Sequence, residues 1–186
     1  MPWRHLWHLL AGLAFPVASY FLPRPLILFG LGAVTLAFLL GEGLRRWRPR
    51  VNRFFLTHLS FILKENERRS LTGATYFLIG SLAALALLPQ EAAAAALIYT
   101  AVADPAAAVV GQCWGRHRLW EKSLEGSLAF LGVALALGAA LGRSGLPFPV
   151  AGMGAAVATA IELLPLPLDD NLSVPLASAG AMSWLL

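Results

Sequence analysis

Three short stretches place ionisable groups in a chain that is otherwise nearly all hydrocarbon: Asp104 to Gly115, Lys122-Ser-Leu-Glu-Gly126 and Asp169-Asp170-Asn171. A charge within a membrane span costs about 2.5 to 3.5 kcal/mol on insertion scales, so each group is a candidate functional position. Adjacent carboxylates such as Asp169 and Asp170 repel unless a cation lies between them, and oxygen-only ligands suit a hard divalent ion. Gly111 and Gly115 bracket a turn followed by Arg116, Arg118 and Lys122. Backbone N–H groups and three cations can then converge on phosphates. The spacing is not that of a Walker A loop, because the second glycine of Gly-x4-Gly-Lys-Ser is missing.

Each stretch also has a purely structural reading. Asp104 before Pro105 reads either as the N-cap of a helix that begins at the proline or as the site of a break in a longer helix. Gly111 and Gly115 also form a Gly-x3-Gly packing pattern in a basic loop. Lys122 and Glu125 are three residues apart, which on a helix puts them on one face, where Glu125 either orients Lys122 or holds a metal. Ser123 and its neighbours equally suit a helix start. Asp169 or Asn171 would serve as an N-cap, although two acids with Glu162 nearby exceed what a cap needs. His5 and His8 share a helix face, but Trp3 and Trp7 beside them point to interfacial anchoring. Cys113 is the single cysteine, which excludes an internal disulfide and a cysteine-based zinc site. No His-Glu-x2-His or Gly-x-Ser-x-Gly pattern occurs, so zinc-protease and serine-hydrolase chemistry have no support.

The elements that must position these residues are helical. Of 186 residues 58% are hydrophobic and only 13% charged, and the apolar residues come in blocks long enough to cross a bilayer. The pattern predicts an all-α, polytopic membrane bundle forming one domain over 1–186. Seven spans are expected at about 5–22, 26–44, 72–88, 91–112, 123–142, 147–164 and 171–186, punctuated by proline and glycine turns. On such a span Asp104, seven residues before Gly111, lies about 10 Å below the helix end. The polar insert from Arg45 to Leu71 repeats Val51, Phe54, Phe55, Leu59 and Ile62 at helical spacing, which predicts an amphipathic helix in the membrane interface. The first span lacks a small-residue cleavage site and is read as a mature helix rather than a signal peptide.

All but Arg24 and Arg143 of the fourteen Lys and Arg residues fall on the face that carries the N-terminus and the inserts 45–71, 113–122 and 165–170. That face, in the cell membrane, is expected to be cytoplasmic. The net charge of +4 sits in loops between spans and gives no basis for a nucleic-acid partner. Gly138-x3-Gly142 is the one hint of helix pairing, and the oligomeric state is not readable.

Taken together the residues resemble those of the CTP-dependent lipid kinases, the group of dolichol kinase, phytol kinase and yeast-type diacylglycerol kinase. The matching blocks are Arg4-His-Leu-Trp-His8, Glu42-Gly-Leu-Arg45, Glu67 to Tyr76, Asp104 to Gly115, Lys122 to Gly126, and Glu162 to Pro175. The resemblance implies transfer of the terminal phosphoryl group of CTP to the hydroxyl of a membrane lipid alcohol (a polyprenol or dolichol, phytol or diacylglycerol), with Mg2+ or another divalent cation. It points to Arg4, Asp104, Gly111, Lys122, Asp169 and Asp170, and secondarily to Gly115 and Glu125. Asp169 and Asp170, helped by Asp104, are expected to hold the metal. Lys122, Arg116 and Arg4 would neutralise the phosphates, and the depth of Asp104 suits a general base for the alcohol. His5 departs from the pattern, since relatives often carry lysine there. The block from Asp104 to Gly126 is also similar to phosphatidate cytidylyltransferases, which makes CDP-lipid synthesis an alternative. A small transporter or membrane subunit is the non-enzymatic alternative, although no internal repeat is visible.

Overall fold

The computed structural model describes residues 2–58, 70–142 and 145–186, with residues 2–8, Leu56 and His58 described by their backbone alone. Helix α1 (Pro2–Ala18) is followed by α2 (Arg24–Trp47), α3 (Pro49–His58), α4 (Gly73–Leu87) and α5 (Gln90–Trp114). A short antiparallel hairpin of β1 (Arg118–Leu119) and β2 (Lys122–Ser123) leads into α6 (Leu124–Leu141), α7 (Phe148–Leu163) and α8 (Asp170–Ser183). Each expected span is thus a helix, with ends shifted by a few residues. Length and composition single out α2, α5 and α6 as able to cross a membrane, while residues 9–18, α4 and α7 are shorter apolar helices. A membrane-type all-α bundle follows from this; seven complete crossings do not.

The helix starts follow local chemistry. The Thr72 side chain caps α4 by accepting from the Thr75 N–H, Ser123 caps α6 from the Gly126 N–H, and Asp169 caps α8 from the Asn171 N–H. Proline stands in the first turn of α2 and α7, where its missing N–H costs nothing. α3 occupies the part of the polar insert where an amphipathic helix is expected; Leu59 and Ile62, which complete that pattern, lie outside the described residues.

One expectation at Asp104 is overturned. Pro105 neither begins a helix nor breaks one, because α5 runs without interruption from Gln90 to Trp114. An internal proline costs about 3 kcal/mol, and here tertiary packing outweighs it. Residues Ala92 to Ala96, Leu97, Tyr99 and Ala101 are all fully buried, so α5 is the axis around which the other helices stand. Small side chains allow that close approach: a Cβ on Gly12 of α1 would lie 2.9 Å from the Ala101 Cβ. Gly138 serves the same purpose inside the chain, against the Tyr99 hydroxyl and Ala151, rather than pairing two copies of it.

The connections sort to two ends. At one, the Arg24 guanidinium donates to the carbonyls of Leu85, Ala86 and Leu88, closing the C-terminal turn of α4, and the Gln90 amide reaches the Ser19 carbonyl. At the other end lie the hairpin, the 164–169 loop and the junction of α2 with α4. That junction is tied by a buried ion pair, Glu42 Oε2 to Arg45 Nη2 at 2.6 Å. The second carboxylate oxygen accepts from the Thr72 N–H at 3.1 Å and the Thr75 hydroxyl at 3.4 Å. Arg45 also donates to the Ser70 carbonyl and lies over the Phe55 ring. α8 starts low, since Gly80, two turns into α4, faces Asn171 and Leu172. The first residues of α8 are therefore sunk within the bundle.

Because both members of the Glu42–Arg45 pair are buried, removing one strands the other. Glu42→Ala is expected to cost about 3 to 5 kcal/mol. Glu42→Leu combined with Arg45→Met should recover much of that loss, as read by thermal unfolding in detergent.

Candidate active site

Ser123 and the two glycines beside it bring the charged stretches together. A Cβ on Gly111 would lie 2.8 Å from the Ser123 hydroxyl, and one on Gly126 would lie 2.9 Å from the Ala107 carbonyl. The start of α6 is thereby pressed against the last two turns of α5. Gly111 and Gly115 are packing residues, as the Gly-x3-Gly reading holds. Gly111 lies within α5 and the Gly115 N–H donates to the Gly111 carbonyl, so that N–H is already engaged within the chain. The signal in the sequence was the spacing; the side of the helix it faced was not.

Lys122 leaves β2 and turns into the bundle. Its Nζ lies 2.6 Å from Glu162 Oε1 and 2.7 Å from Asp170 Oδ2, so one ammonium joins the end of α7 to the start of α8. Glu162 is 5% exposed and accepts from the Ser127 hydroxyl through its other oxygen. Burial pulls the Lys122 ammonium toward the neutral form, but the charges and hydrogen bonds of Asp170 and Glu162 win and hold its pKa above the ordinary lysine value.

Around this bridge lies an inner cavity of about 330 Å³ walled by Asp104, Gly111, Arg118, Lys122, Glu162 and Asp170, among others. An outer cavity of about 590 Å³ adjoins it, bounded by Tyr76, Trp120 and the 163–170 segment. Glu121, Lys122 and Asp170 line both. Asp104, Lys122 and Asp170 therefore meet in one place although 66 positions separate the first from the last.

Other expected residues stand elsewhere. Lys122 and Glu125 do not share a helix face, because Lys122 belongs to β2 and α6 begins only at Leu124. Glu125 instead receives the His117 N–H at 3.2 Å, with His117 Nδ1 at 2.8 Å, and so fastens the loop before the hairpin. Arg116 is exposed and lines neither cavity; Arg118, in β1, takes the cationic position there. Asp169 faces the outer cavity, and its Oδ1 accepts from the Asn171 N–H and amide as the α8 cap. The side chain of Arg4 lies outside the described residues. Glu162 was not singled out from sequence as a site residue, although an acid near the end of an apolar helix was a legible signal.

Among the described residues no three His, Cys, Asp or Glu side chains form a ready metal cluster. The expected trio of Asp104, Asp169 and Asp170 is split, because consecutive residues at a helix start point apart. What the inner cavity offers is the oxygen donors of Asp104, Asp170 and Glu162. That suits Mg2+, which ordinarily rests on one or two carboxylates, waters and the phosphates of a substrate.

A helical membrane bundle with a lysine–carboxylate bridge at a polar cavity is the class this architecture defines, and similarity to known proteins narrows it. The chain is 28% identical over 158 residues to the CTP-dependent diacylglycerol kinase 1 of Schizosaccharomyces pombe, covering 75% of this chain and 72% of that protein. It is 36% identical over 107 residues to the phytol kinase of Synechocystis, covering 50% of this chain and 46% of that protein. These similarities bear out the resemblance to the CTP-dependent lipid kinases. No family model matches, and no solved structure matches significantly.

Lys122→Met removes the cation shared by Glu162 and Asp170. Leaving buried acceptors without a donor costs about 1 to 3 kcal/mol or more for charged groups. The solubilised variant should melt lower than the parent, and Lys122→Met with Glu162→Gln should melt higher than Lys122→Met alone.

Proposed function

We propose that this chain transfers the terminal phosphoryl group of CTP to the hydroxyl of a lipid alcohol held in the membrane. The observation that carries the reading is the Lys122 bridge to Glu162 and Asp170 beside Asp104 in one polar cavity of an apolar bundle. Unlike the sealed Glu42–Arg45 pair, this bridge lines an open polar cavity, which supports a ligand-binding role for it. The named activities of the two similar proteins supply the substrate class: a nucleoside triphosphate on one side and an alcohol on an apolar tail on the other. The end of the bundle with the site also carries Arg45, Arg46, Arg48, Arg50, Arg53, Arg116 and Arg118, which supports a cytoplasmic placement.

Phosphoryl transfer asks mainly for in-line positioning and for cations on the equatorial and leaving oxygens. Lys122 and Arg118 are the residues placed to neutralise the triphosphate. The alcohol oxygen bonds to the γ phosphorus, the bond from that phosphorus to the β–γ bridging oxygen breaks, and CDP leaves. The hydroxyl proton passes to Asp104, which stands in the inner cavity one turn below the close approach of Ala107 to Gly126. Asp170, with Asp104 or Glu162, would hold Mg2+, which when bound shields the phosphate charge. Substrate binding then asks the Lys122 ammonium to exchange carboxylate partners for phosphate oxygens. The lipid tail enters between helices from the side, so only its head meets the polar residues.

Incubation of the purified protein with radiolabelled CTP or ATP and a panel of polyprenol, phytol and diacylglycerol acceptors tests the reading. Labelled lipid phosphate formed from CTP is the expected product; no labelled lipid with any acceptor would refute it. Asp104→Asn should lower turnover by about 100-fold or more, the scale of a lost general base. CTP with Mg2+ should still raise the melting temperature of that variant. Turnover of the Asp104→Asn variant at the parent rate excludes Asp104 as the base.

A further inference from the structure

The hairpin between α5 and α6 has a conformation its sequence does not favour. Leu119 pairs with Lys122, so Trp120 and Glu121 form a two-residue turn. Trp120 has φ 52°, and among the described residues it is the one non-glycine position with positive φ. In a two-residue hairpin whose first central residue alone has positive φ, glycine normally takes that place. Here it holds the bulkiest side chain instead. Such strain persists where something other than local preference holds it, and it gathers at ligand-binding sites.

Among the described residues, close packing does not account for it. The indole is 63% exposed, yet it lines the outer cavity together with Tyr76. The residue after the turn, Lys122, is the cation shared by both cavities. The strained turn therefore aims a flat aromatic surface into a cavity at whose inner edge stands the group best placed for phosphate.

We propose that the outer cavity receives the nucleoside of the phosphoryl donor and that Trp120 is the platform on which its base stacks. The inference rests on the phosphotransfer reading above. A triphosphate laid across Lys122 has its reacting end in the inner cavity with Asp104, where the lipid hydroxyl arrives, and its base directed outward past the hairpin. The volume of about 590 Å³ lies within the ordinary range of small-molecule sites. Stacking reads the face of a base and not its edge, so Trp120 supplies affinity without choosing cytosine over another base. An indole at this level of a membrane protein also suits anchoring in the bilayer interface, which the test separates from stacking.

Michaelis constants for CTP and for the alcohol, measured in detergent on the full chain and on Trp120→Phe, Trp120→Ala and Trp120→Gly, decide the matter. Trp120→Ala and Trp120→Gly should raise the KM for CTP about tenfold or more with kcat and the alcohol KM within about twofold, and Trp120→Phe should retain most of the affinity. Trp120→Gly should also raise the melting temperature without nucleotide, because glycine accepts the turn, while shrinking the further rise that CTP produces. An unchanged CTP KM in the Ala and Gly variants overturns the proposal, and so does a loss confined to the alcohol KM, the mark of a membrane anchor. If the parent protein neither turns over CTP nor is stabilised by it, the phosphotransfer reading falls and this one with it. A fully active parent with indifferent variants removes the stacking role alone.

Discussion

One ammonium held by two carboxylates organises the working end of this molecule. Lys122 reaches Glu162 at the last turn of α7 and Asp170 at the first turn of α8. In a medium of low dielectric each of the three charges would be costly alone, and their mutual attraction offsets that cost only at short range and in good geometry. The positions of the hairpin, α7 and α8 are therefore linked: none can shift without leaving a charge unpaired. The same arrangement fixes one ammonium and two carboxylates at the edge of the inner cavity.

That bridge depends in turn on how closely α5 and α6 approach. Gly111 and Gly126 leave no side chain between the two helices, and Ser123 fills the remaining space while capping α6. Lys122 is then delivered at the depth of α5's last turns and not at the surface. On the far side, the low start of α8 beside Gly80 brings Asp170 down to meet it. Two independent devices, a glycine contact and a sunken helix start, thus set the level of the cavity within the bundle.

Much of this was readable in the chain because the apolar blocks are long and their ends carry proline, glycine or a capping residue. The helices α1, α2 and α4 to α8 appear where expected, and Asp104, Lys122 and Asp170, singled out by the cost of charge among hydrocarbon together with the resemblance, line one cavity. The misreadings share a cause: local rules describe a helix by itself, whereas contacts decided the outcome. Pro105 stays inside α5, whose preceding turns from Ala92 to Ala101 are buried among neighbouring helices. Lys122 and Glu125 were assigned one face by spacing, but a two-residue strand ends between them and sends Glu125 to His117. Arg118 and Arg116 are indistinguishable in sequence, and only the hairpin register separates the one at the cavity from the one in solvent.

The fully buried wall of Ala92 to Ala96 bears on how the chain is assembled. Alanine offers lipid little hydrocarbon surface to cover, and α5 also carries Asp104 and Pro105, so this helix draws less from the bilayer than its length suggests. Its free energy comes from close contact with helices on both sides, of which α6, α7 and α8 are synthesised after it. During biogenesis α5 reaches its final surroundings only once those later segments have entered the membrane. The central helix of the finished bundle can cross by its own length, but its close contacts are completed only by the segments that follow it.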